Sequence, residues 1–90
     1  MNILHFIQPD DYQLIHFSFS LIAEIDQKIK DKKLFYENQI LDYVNSQIEC
    51  FLKTCNVKQS LKVVYKAELY QLMKLKLNEL FNKYTLLKCY

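Results

Sequence analysis

The chain has 90 residues, 51% of them hydrophobic and 14% aromatic, with no glycine, one proline and a formal net charge of +2. That length suits a single domain, residues 1–90, around one core. The lack of glycine argues against tight hairpins, phosphate-cradling loops and turn-rich sandwiches or barrels, and the lack of arginine removes the bidentate fork that reads guanine in DNA.

Residues 1–8, MNILHFIQ, are apolar but carry neither the basic start nor the small-residue cleavage site of a signal peptide. Pro9-Asp10-Asp11 then reads as a helix start, because proline needs no N–H partner there and acids favour the positive end of the helix dipole. A first helix is expected over about residues 10–31. Tyr12, Ile15, Phe19, Ile22 and Ile29 form one apolar row, and Leu14, Phe17, Leu21 and Ile25 a second, which together predict a wide buried face. A rival reading pairs Ile3–Ile7 with Leu14–Phe19 as a β-hairpin over residues 3–19, packed on two helices, because His16–Leu21 alternates as a strand would. The uncharged run Tyr12–Ala23 is twelve residues, too short to span a bilayer.

Asp31-Lys32-Lys33 makes a polar break before a second helix over about residues 34–55. Its apolar row is Ile40, Val44, Ile48, Phe51 and Cys55, flanked by Leu41 and Leu52. Asn56 is read as its C-terminus and Ser60 as the N-cap of a third helix, over about residues 60–85. That helix has a main row at Leu61, Tyr65, Leu69, Met73, Leu77, Leu80, Tyr84 and Leu87. A second row, Val64, Leu72, Leu75 and Phe81, widens it. The short link predicts that helices two and three form an antiparallel hairpin. The expected fold is all-α, a compact bundle of three principal helices.

Charge is uneven. Residues 56–90 carry seven lysines against two acids, while residues 1–33 carry four against five and residues 34–55 one against three. Lys58, Lys62, Lys66, Tyr70 and Lys74 are spaced by four, and Asn78 and Asn82 extend the row. Such a row makes a basic stripe on one helix, suited to an acidic protein surface or a nucleic-acid backbone. Tyr36, Tyr70 and Tyr90 fall off the main apolar rows and are placed at an interface, because tyrosine buries much area at low entropic cost. Tyr43, Tyr65 and Tyr84 are placed in the core or at its edge.

His5 and His16 have no partner at metal-ligand spacing, and Asp10-Asp11 reads as a cap and not as an acid pair for hydrolysis. Cys50, Cys55 and Cys89 form no CxxC motif. An odd number of cysteines with no secretory signal points to reduced, cytoplasmic thiols, with Cys50 or Cys55 used as small core residues. No catalytic residue, cofactor or metal site is expected.

Val63, Tyr65, Ala67, Leu72, Leu75, Asn78, Leu80 and Lys83, with the aromatic Phe81, resemble the last long helix of the Hha/YmoA family. The likeness covers less than a third of the chain. The family's Asp-His-Arg run is replaced here by Leu69-Tyr70-Gln71. That family modulates nucleoid-associated silencing proteins by binding them, so the resemblance implies a modulator of that kind.

Taken together, the sequence leads us to expect a small regulator, inhibitor or adaptor that docks an apolar, tyrosine-rich helical face on another protein. Lys62, Lys66, Tyr70, Lys74, Tyr36 and Tyr90 are the candidate contacts. A homodimer is a further expectation, and a small basic nucleic-acid-associated protein is the alternative.

Overall fold

Asp10 accepts a hydrogen bond from the Gln13 N–H (2.8 Å), and the Gln13 side chain accepts one from the Asp10 N–H (2.9 Å). This capping box satisfies two backbone donors and starts α1, Asp11–Lys30. Pro9 stands just before the cap and is buried. The computed structural model describes residues 9–85, with α2 at Glu37–Thr54 and α3 at Gln59–Tyr84. All three expected helices form. The β-hairpin alternative is not supported: Leu14–Phe19 lie inside α1, and no strand forms among the described residues. Its other arm, Ile3–Ile7, lies outside the described residues, as does Leu87.

The helices end without glycine. Lys32, Asn56 and Thr85 take its place at positive φ, at 59°, 55° and 51°. After α1, the Lys33 N–H reaches the Lys28 carbonyl (2.8 Å) and the Lys32 N–H reaches Ile29 (3.0 Å). After α2, the Val57 N–H reaches Leu52 (3.1 Å) and the Asn56 N–H reaches Lys53 (3.0 Å). Both are Schellman closures, which satisfy the last carbonyls of a helix. The second also buries Val57 in the core. α2 is capped by Gln39, whose side chain accepts from the N–H groups of Phe35 (2.9 Å) and Tyr36 (3.1 Å). Ser60 is not the N-cap of α3. Lys58 holds that position without a side-chain bond, because the closure at Asn56–Val57 leaves only one residue before the new helix.

α2 runs antiparallel to α3, as its pairs show: Glu49 with Lys66 and Asn45 with Tyr70. α1 runs parallel to α3. Its start, Asp11–Ile15, lies beside Glu68 and Leu72, and Asp26 near its end meets Lys83 and Tyr84. The closest packing in the molecule is between α1 and α3.

One core serves all three helices: Leu14, Leu21, Ile25 and Ile29 from α1, Ile40, Val44, Ile48 and Leu52 from α2, and Leu69, Met73, Leu77 and Leu80 from α3. Ser18 sits within the α1 stripe, 1% exposed, its hydroxyl donating to the Leu14 carbonyl (2.8 Å). A small residue with its hydroxyl satisfied on its own helix can occupy such a position without an unpaired polar atom. The wide face expected for α1 is therefore corrected. Its buried stripe is the narrower 14–18–21–25–29 row, which leaves Tyr12, Ile15 and Phe19 exposed. The second apolar row of α3 is also mostly outside, with Val64, Leu72 and Leu75 exposed and Phe81 half-buried.

Two substitutions bracket these energetics. Leu69→Ala, at a fully buried position, is expected to lower unfolding free energy by about 2–5 kcal/mol. Lys32→Gly is expected to raise it by about 0.5 kcal/mol, because glycine carries no penalty at positive φ while loosening the unfolded chain. Urea titrations of both variants measure the two changes.

Candidate functional site

Four of the six candidate contacts, Lys62, Lys66, Tyr70 and Lys74, share one flank of α3, but not one exposed face. A helix has 3.6 residues per turn, so residues spaced by four rotate about 40° at each step. The row therefore starts beside the core and winds over the α2 seam. Lys62, Lys66 and Tyr70 are half-buried, and Lys74, Asn78 and Asn82 are exposed. The Lys66 ammonium pairs with Glu49 at 2.9 Å, holding that carboxyl below its ordinary range with help from Lys62. The Tyr70 hydroxyl lies 3.5 Å from Asn45 Oδ1, and its burial raises the phenol pKa. Tyr70 and Lys74 do share a groove of about 220 Å³ with Leu41, Leu77 and Phe81. Tyr36 caps α2 at the far end of the α2–α3 pair from Lys62. Tyr90 lies outside the described residues.

A different surface emerges between α1 and α3. Phe19 is 58% exposed, Ile15 42%, Leu75 70% and Leu72 39%. Two hollows run along this parallel pair. One, of about 260 Å³, is lined by Asp11, Leu14, Ile15, Glu68 and Leu72. The other, of about 350 Å³, includes Phe19, Ile22, Lys76, Leu80 and Lys83. The signal for this face was present in the sequence as the outer of the two apolar rows on each helix. What the sequence lacked was the pairing of α1 with α3, which sets the two outer rows side by side.

The far end of this face is latched. The Tyr84 hydroxyl donates to Asp26 Oδ1 at 2.5 Å, and Lys30 (3.4 Å) and Lys83 (3.7 Å) complete the cluster. The Tyr84 bond, more than the lysines, holds the Asp26 carboxyl below its ordinary range. On the α2 side, Tyr43 donates to Glu24 under the Lys28 ammonium, 5.2 Å above the tyrosine ring. Burial first, and the Glu24 bond second, push its phenol up to about 12.

Cys50 is exposed. Cys55 is half-buried, and burial pushes its thiol up, away from the reactive thiolate. Cys89 and His5 lie outside the described residues. His16 stacks on Tyr12, with ring centroids 6.2 Å apart. Among the described residues no group of three or more His, Cys, Asp and Glu side chains converges, and no helix is long and apolar enough to cross a membrane.

Comparison with protein families, curated proteins and solved structures returned no match. The likeness of Val63–Lys83 to the Hha/YmoA helix is thus accompanied by no family match.

The Asp26 latch makes stability depend on acid. Its folded-state pKa is depressed, so its contribution is complete above the unfolded value of about 3.9 and is lost as pH falls through the folded value. Tyr84→Phe is expected to cost about 1 kcal/mol or less at neutral pH, since Asp26 is only partly buried. It should also move the Asp26 titration back up towards its ordinary value. Carboxyl titration by NMR, with unfolding measured from pH 2 to 7, reads both effects.

Proposed function

We propose that the protein is a small non-catalytic protein-binding module of the cytoplasm, a regulator, inhibitor or adaptor, which docks its α1–α3 face on a partner. The supporting observation is that Ile15 and Phe19 of α1 and Leu72 and Leu75 of α3 are large apolar side chains left exposed, Ile15 and Leu72 lining one hollow between the two helices. Grouped apolar surface of this kind marks interaction sites in soluble proteins. The face is built from two helices held by the common core, so it is presented on a rigid support and little ordering is needed on binding. The Lys66 and Tyr70 side chains are already engaged with α2. This favours the α1–α3 face over the lysine row as the main docking surface, and leaves Lys74 and Lys76 as exposed cations for steering an encounter.

The test uses Leu75→Glu, chosen because that side chain is mostly exposed and its loss should leave the fold intact by circular dichroism. Tagged wild-type protein is expected to retain a protein partner, a copy of itself included, from nuclease-treated native lysate. Leu75→Glu should lose that partner by about tenfold or more. Equal retention by both proteins, or a wild-type signal that disappears with nuclease, would overturn the reading.

A further inference from the structure

We propose that the α1–α3 face docks a basic segment of another protein, with a lysine or arginine side chain of that segment seated in the hollow between Asp11 and Glu68. The inference rests on the protein-binding reading of that face and names the chemistry of its occupant.

The apolar side chains at the start of the face cannot be covered apart from the acids. Ile15 and Leu72 line the same hollow of about 260 Å³ as Asp11 and Glu68, over the buried Leu14. Both acids are exposed, and neither has an ion-pair partner among the described residues. A partner lying on Ile15 and Leu72 therefore takes water from two carboxylates of like charge. Desolvating even one unpaired carboxylate costs more than is returned by covering what remains exposed of these two side chains. A purely apolar partner is disfavoured for that reason, and an acidic one more so. A cation removes the penalty. Lysine and arginine bury their methylene stems on apolar surface and carry the charge beyond it, so the stem lies on Ile15 and Leu72 while the head meets the carboxylates.

The other end of the face makes no such demand. There Lys76 pairs with Glu79 (3.5 Å) and Lys83 with Asp26 (3.7 Å), around a floor that includes Phe19, Ile22 and Leu80. These charges are matched within the chain, and an apolar side chain suits the floor. The two hollows lie about nine residues, roughly 14 Å, apart along both helices. The unmatched charge of the face is thus negative and confined to one end. This sets the sign of the occupant's charge and its direction on the face: a basic residue over the start of α1, and a large apolar one towards Phe19 and Leu80. A second copy docked face to face would bring only lysines already engaged in ion pairs, so the occupant is a different protein.

The test compares tagged wild type with Glu68→Gln and Glu68→Lys, both at an exposed position and both checked for fold by circular dichroism. The protein retained by wild type from nuclease-treated native lysate is identified by mass spectrometry, purified and titrated calorimetrically against all three. Its Kd is expected to rise about threefold with Glu68→Gln and about tenfold or more with Glu68→Lys. Glutamate placed in turn at each lysine and arginine of the retained protein should reveal one position whose loss Glu68→Lys repairs, to within about threefold of the wild-type pair. Unchanged or tighter binding by Glu68→Lys, or no position that it repairs, overturns the basic-segment proposal. In that event a protein still lost on Leu75→Glu leaves the protein-binding reading standing. Retention of copies of this chain alone has the same result. No retained protein, or one that Leu75→Glu also leaves in place, removes both.

Discussion

An α-helix has 3.6 residues per turn, so residues spaced by four cannot stay on one side of it. That constraint shapes every element here. The α3 core row advances by four through Leu69, Met73 and Leu77, drifting round the helix until the three-residue step to Leu80 brings it back. The α1 stripe makes the same correction early, between Ser18 and Leu21. The lysine row of α3 makes no such correction. It winds from beside the core, across the α2 seam where Lys66 meets Glu49, and out to solvent at Asn78. Similar spacing in the sequence therefore produces a coherent core in one row and a distributed set of contacts in the other.

Much of the architecture was legible from periodicity and punctuation. Pro9-Asp10-Asp11 marked a true helix start, with Asp10 as its N-cap, and Asn56 a true helix end. The expected α2 row held at Ile40, Val44 and Ile48, but the next buried position is the flanking Leu52, and Phe51 and Cys55 are only half-buried. In α1 two rows competed, and the buried stripe takes Leu14, Leu21 and Ile25 from one, Ile29 from the other and Ser18 from neither. No propensity scale points to a buried Ser18. Its burial is made possible by a hydroxyl bond made within its own helix. The start of α3 was misread for a local reason. A serine is a good cap only where the chain enters in an extended conformation, and here the helix has already begun at Gln59.

The exposed α1–α3 face was the least legible part. Each exposed apolar side chain taken alone is ordinary, since more than half of a protein surface is apolar. Their meaning comes from adjacency, and adjacency depends on α1 lying parallel to α3, a tertiary arrangement that no local pattern specifies. Once that arrangement is given, the rows discarded by the core on the two helices become neighbours. Polar latches hold them in register: Tyr84 and Lys83 on Asp26 at one end, and Tyr43 on Glu24 across the other flank of α1. The surface is thus a by-product of core selection, held at its edges by polar side chains.

The closest packing in the molecule joins its first helix to its last, with Asp26 and Tyr84 fifty-eight residues apart in sequence. On a ribosome adding about 5–20 residues each second, α1 emerges several seconds before the residues that cover it have been made. During that interval the α2–α3 hairpin does not yet exist, and the stripe from Leu14 to Ile29 has no intramolecular partner of comparable extent. The native arrangement is consequently closed from the C-terminal side, when α3 arrives and supplies the common surface on which both earlier helices settle.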